Sequence, residues 1–171
     1  MTFAPILGLD LTADVLVPTI AAALAVVGAL ITRHIQVRDK RRDDLRTVFS
    51  DALAAVADYQ ELPYLVRRRS DVGPMTPAEL TWHASQVQTR LDLFVARLQL
   101  ESTQLGSAYE LLVRATRQET GAHLTEAWNQ PRITSDGDMV LGARYPREAA
   151  DAERAACLAV MRHHIGIKPE R

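Results

Sequence analysis

The sequence predicts an all-α chain, with an N-terminal single transmembrane helix that continues into an antiparallel cytoplasmic helical bundle of about four helices. Three observations predict it. Aromatic residues make up only 5% of the 171 residues while Ala, Leu and Val dominate, a balance that favours helices over strands. Residues 15–32, VLVPTIAAALAVVGALIT, carry no charge, and bases follow at once. Beyond them, apolar residues recur at alternating spacings of four and three, the period of a helical seam.

An uncharged run of eighteen residues rises roughly 27 Å as a helix, close to the hydrocarbon thickness of a bilayer. A cleavable signal peptide would carry a basic segment before the apolar run, whereas residues 1–14 hold Asp10 and Asp14 and no base, so a retained signal anchor is expected. Arg33, Arg38, Lys40, Arg41 and Arg42 form a membrane-interface basic cluster, continued by Arg46. Under the positive-inside rule it puts the N-terminus outside and the C-terminal part in the cytoplasm of a single-pass cell-membrane protein. The expected division is a short extracytoplasmic N-terminus over 1–14, a transmembrane helix over 15–32, and a cytoplasmic bundle over 33–171. The lipid bilayer is the first expected partner. Ala21, Ala25, Gly28 and Ala29 make one face of the span flat enough for close helix approach, which predicts a homo-oligomer or packing on another membrane subunit.

No Gly or Pro interrupts residues 31–62, and Leu45, Phe49, Ala52, Val56, Tyr59 and Pro63 follow the four-three spacing. One helix is expected to run from the membrane into the bundle until Pro63 kinks or ends it, with Arg67 to Arg69 complementing its C-terminal dipole. Thr76, Pro77 and Glu79 spell a capping box with proline at the first helical position, so a second helix starts there. Leu80, Ala84, Val87, Leu91, Phe94 and Leu98 form its core stripe, and Trp82 falls off it. Residues 101–106 break the pattern. Leu105, Ala108, Leu112 and Ala115 open a third helix expected to last to about Glu119. The text from 121 to 145 is mixed and rich in Pro, Gly and Asp-Gly, which predicts a long loop at about 129–145. Pro146 opens a last helix with Ala149, Ala152, Ala156, Val160 and His163 on its inner side and Gly166 as its stop.

The neutral-to-acidic start, the Ala- and Gly-rich span, the basic exit TRHIQVRDKRRDDLRTVFSDALAAVADY and the closing MRHHIG together resemble a group of single-span helical-bundle membrane proteins of uncharacterised role, common in high-GC Gram-positive bacteria and their phages. The resemblance covers nearly the whole chain in layout. It implies a membrane-tethered cytoplasmic bundle and brings no catalytic residues with it.

Little chemistry is written in the residues. No two of the five histidines stand three or four apart, and the one cysteine, Cys157, has no partner at ligand spacing, so no metal or cofactor is expected. Phosphate-loop, dinucleotide, zinc-protease and nucleophile-elbow motifs are absent. TSDGD at 134–138 has the residue types of a hydrolytic site and the composition of any loop. Residues 33–171 carry 20 bases and 19 acids, too even a balance to make nucleic acid the expected partner, and no small-molecule substrate is indicated. Trp82 and Trp128 are candidate interface aromatics. The expectation is a non-enzymatic tethered interaction or scaffold protein, an accessory subunit of a larger membrane complex. The alternative is a phage- or prophage-linked membrane effector or exclusion factor.

Overall fold

The computed structural model describes residues 13–69, 76–138 and 145–167, with side chains described from Val26 onward, Asp136 apart. Four helices are present: α1 Ala13–Arg67, α2 Pro77–Glu101, α3 Thr103–Asn129 and α4 Glu148–His164, with a 3₁₀ turn over Asp136–Asp138. No strand occurs among the described residues, so the chain is all-helical as expected. It forms two compact units, Met1–Asp44 and Leu45–Arg171.

The first unit contains the N-terminal part of α1. Val26, Val27, Leu30, Ile31, Ile35 and Val37 are each more than half exposed there, at 52–62%. Among the described residues, no helix is long and apolar enough to cross a membrane. The side chains of residues 15–25, the larger part of the predicted span, lie outside the described residues, as does most of the segment 1–14.

The second unit is a four-helix bundle. Its core joins Phe49, Ala52, Val56, Tyr59 and Leu62 of α1 to Leu91, Phe94 and Leu98 of α2, Leu105, Tyr109 and Leu112 of α3, and Cys157 and Met161 of α4. The stripes read from the α1 and α2 spacings are the buried ones. Asp58 of α1 meets Arg90 of α2, Asp92 of α2 meets Arg117 of α3, and Glu101 meets His164 where α2 and α4 both end, so those two helices finish at the same end of the bundle. The Tyr109 hydroxyl donates to the Ala52 carbonyl at 2.8 Å, tying α3 to α1 through the core, and burial raises its pKa beyond the ordinary phenol value.

Two alternatives left open by the sequence are decided, and two expectations need correction. Pro63 does not end α1, which continues to Arg67 with the proline fully buried. Packing of Leu62 and Val66 on either side holds the last turn against the lost hydrogen bond. The break at 101–106 is a reversal on one residue: Ser102 alone is extended, its N–H bonding to the Leu98 carbonyl at 3.0 Å, and α3 begins at Thr103. The third helix runs past Gly121 to Asn129, because Thr120, Leu124 and Ala127 keep its inner face on the core side and outweigh one glycine. Finally, most of the predicted inner side of α4 faces outward: Ala149, Ala152, Ala156 and His163 are exposed and Val160 alone of that side packs partly buried on the core, while Ala150, Cys157, Met161 and then Ile165 are buried. Burying Met and Ile removes far more apolar area than burying Ala, so the helix rotates to favour them.

Candidate functional site

The predicted basic cluster lies on α1. Arg33, Arg38, Lys40 and Arg41 are exposed and Arg42 is half-buried, and the interleaved Asp39, Asp43 and Asp44 are exposed as well. Just upstream, Thr32 donates its hydroxyl to the Gly28 carbonyl at 2.9 Å. Thr81, Thr89 and Thr125 make the same bond to the carbonyl four residues back on the exposed faces of α2 and α3. Of the flat face, Gly28 and Ala29 are exposed, and nothing lies within 4 Å of a Cβ built on Gly28. The side chains of Ala21 and Ala25 lie outside the described residues.

The two tryptophans part company. Trp82 is 66% exposed on the outer side of α2. Trp128, near the end of α3, is half-buried, and the Arg69 guanidinium lies over its ring at 4.9 Å from the centroid. Arg69 is the residue that organises this end of the bundle. It is only 8% exposed, and its two terminal nitrogens donate to four carbonyls: Val66 at 2.8 Å, Ala127 at 2.9 Å, Trp128 at 2.9 Å and Gln130 at 2.7 Å. These carbonyls lie at the C-termini of both α1 and α3, where the helix dipoles are negative, so one cation bridges two helix ends; those of Val66 and Ala127 also accept the backbone N–H of Arg69 and Gln130. Burial, then the like charges of Arg132 and Arg67, lower its pKa from the ordinary value. The Arg69 carbonyl in turn accepts from Ile133 N–H at 3.0 Å, pinning the start of the loop.

The N-terminus of α4 is closed from a distance too. Arg147 at the cap position offers no side-chain bond, and the Glu119 carboxylate of α3 instead accepts from Ala149 N–H at 2.9 Å and Ala150 N–H at 3.0 Å. Beside it, Tyr145 stacks on His123 at 4.8 Å and meets Tyr64 edge-on at 5.0 Å. His123 Nε2 lies 3.1 Å from the Pro146 carbonyl, which only accepts, so that nitrogen carries the proton. The sequence placed Arg69 at the end of α1, but its reach to α3 and that of Glu119 to α4 were not legible, since those partners lie far away along the chain.

The residues with chemical potential are committed to structure. In TSDGD, one Asp138 carboxylate oxygen accepts from the backbone N–H and the hydroxyl of both Thr134 and Ser135, at 2.9–3.2 Å. The Thr134 hydroxyl, followed by the other donors, depresses the Asp138 pKa, and the hydroxyls serve as turn donors rather than nucleophiles. Cys157 is buried, which pushes its thiol up to about 11, with Glu153 adding to the shift. An open groove of about 330 Å³ between α2 and α3 is lined by charges already paired with one another, Arg117 with Asp92 and Arg114 with Glu110. Among the described residues no group of three or more His, Cys, Asp or Glu is placed to hold a metal ion. No protein-family model, curated protein or solved structure matches the chain.

Proposed function

We propose that the protein is a non-enzymatic, membrane-tethered interaction or scaffold protein, whose helical bundle offers a cytoplasmic surface to other copies or to a larger membrane complex. This is also the reading that the resemblance to single-span helical-bundle membrane proteins implies. The observation that carries it lies on α1: six large apolar side chains between Val26 and Val37 stand more than half exposed on a helix whose upstream residues are uncharged back to Val15. Left in water, each loses on the order of 1.5–3 kcal/mol of burial. A bilayer covers them. The bases from Arg33 to Arg46 then fall at headgroup depth, each contributing about 1 kcal/mol of attraction to an anionic leaflet. Gly28 and Ala29 offer the flat face on which two such helices approach closely.

Expressed full-length in bacteria, the protein is expected to stay with membranes washed in alkaline carbonate. Val27→Arg with Leu30→Arg places two charges in the apolar run at about 2.5–3.5 kcal/mol each, and should move the chain to the supernatant. Release of the parent protein by the same wash would overturn the reading.

A further inference from the structure

α2 carries two seams. Its core seam ends on the buried Leu91, Phe94 and Leu98, and on the opposite side, two residues out of phase, Trp82, Gln86, Thr89, Leu93, Ala96 and Leu100 repeat the same alternation of four and three. All six are exposed, Trp82 at 66%, Leu93 at 61% and Leu100 at 90%. Solvent-facing positions on a bundle helix call for charged or polar residues, and none of these six is charged. Charge stands instead on the two flanks of the seam, sorted by sign. Asp92 lies on one flank; Arg90 and Arg97 lie on the other.

We infer that this outer face of α2 pairs with the same face of a second copy, as a parallel, in-register two-helix seam. The flanking charges select both partner and direction. In a parallel pair each acidic flank meets the other copy's basic flank, so Asp92 of one copy reaches Arg97 of the other, twice over by symmetry. In an antiparallel pair centred on the seam, Arg90 would meet Arg90 and Asp92 would meet Asp92. Asp92 is already steadied for this: Arg117 holds its Oδ1 at 2.8 Å, and its side chain remains 65% exposed. Gln86, polar at a seam position, fixes the register, because only in register does it meet its own copy rather than an apolar residue.

The seam is short. Trp82 to Leu100 spans roughly 27 Å, and a strip about 10 Å wide covers well under the ~800 Å² per partner of a stable soluble complex. The pairing therefore needs copies already held near one another, which a shared membrane supplies as effective concentration. In that respect the inference rests on the tethered reading above.

The test is disulfide trapping of the full chain reconstituted in lipid vesicles, with Cys157 left in place because it is buried. Leu93→Cys is expected to give mostly covalent dimer under copper-phenanthroline oxidation, while Arg114→Cys, exposed on α3, stays mostly monomeric. Adding Arg97→Glu to Leu93→Cys should cut the dimer several-fold, and Arg97→Lys should restore it. A Leu93→Cys yield no higher than that of Arg114→Cys overturns the inference. So does a mixture of Gln86→Cys and Ala96→Cys chains that cross-links to each other better than Leu93→Cys does to itself, since that is the antiparallel signature. Flotation of the same vesicles reads the anchor independently. Chains that float without cross-linking end this inference and keep the anchor, and chains that cross-link through position 93 without floating do the reverse.

Discussion

The two ends of the bundle are closed by different means. At one end, α2 stops and α3 starts on Ser102, while α4 stops on Gly166, whose φ of 74° lets Ile167 N–H reach the Arg162 carbonyl at 2.9 Å and Gly166 N–H reach that of His163 at 3.0 Å. Each of these capping bonds lies within a few residues of its partner, and the Glu101–His164 pair at 3.3 Å is a long-range contact beside them. At the other end only α2 has a cap of its own, the Thr76–Glu79 box, with bonds of 2.6 and 3.2 Å. The remaining three termini depend on two side chains reaching across the fold, Arg69 onto α1 and α3 and Glu119 onto α4. Local caps stabilise one helix each, whereas a remote cap also fixes which helices are neighbours. Losing a remote cap should therefore cost more, and that expectation can be attacked directly.

Arg69→Ala should produce the largest loss. It takes the donors from the Trp128 and Gln130 carbonyls, each worth about 1–3 kcal/mol when unsatisfied, and cuts the link from α1 to α3, so chemical denaturation should show about 3 kcal/mol less stability, with Arg69→Lys recovering the charge but not the fork. Gly106→Ala probes the local end at its tightest point: a Cβ there would sit 2.7 Å from the Gln99 backbone Cα, and the forced separation of α2 and α3 should cost about 1–3 kcal/mol. If Gly106→Ala proves the more damaging, steric fit rather than capping governs the comparison. Glu119→Gln should lose about 1 kcal/mol, as a charge-assisted double cap becomes a neutral single acceptor. Its helical circular dichroism should fall mainly through α4.

The smallest effect concerns acid. The Thr76 backbone bond, then the Thr76 hydroxyl, hold the Glu79 carboxyl below its ordinary pKa, and the Thr134 and Ser135 donors do the same for Asp138. Groups with depressed folded pKa values contribute stability above their unfolded values, near pH 4, and lose it as the pH falls through the folded ones. Both are surface groups, so the urea midpoint should drop modestly below pH 4, and less so in Thr76→Ala. A midpoint that rises on acidification would contradict the assigned bonds.

This contrast also explains what could be read in advance. The Thr76 box, the Gly166 stop and the α1 and α2 core stripes were legible because their partners lie within one or two turns of helix. The rotation of α4 was not, since alanines mark a side without deciding which side is worth burying. Arg69 read as one of three adjacent arginines at a helix end, and its dipole role was visible, but its choice of α3 as second partner depends on the bundle's topology. Tyr109 and Glu119 carried no local signal. Among candidate interface residues, the off-stripe position of Trp82 left exposure and core packing equally open and the residue is exposed, while Trp128 lies under Arg69.

The bonds from Arg69 to Ala127 and Gln130 join positions 58 and 61 residues apart, around an α2–α3 hairpin linked by a single residue. Local hairpins form quickly, and long closures wait until their entropy is offset by contacts already made. The guanidinium is therefore expected to engage after the folding barrier, so in stopped-flow kinetics Arg69→Ala should accelerate unfolding and leave the folding rate nearly unchanged. On that expectation the arginine sets the lifetime of the folded bundle rather than the speed of its assembly.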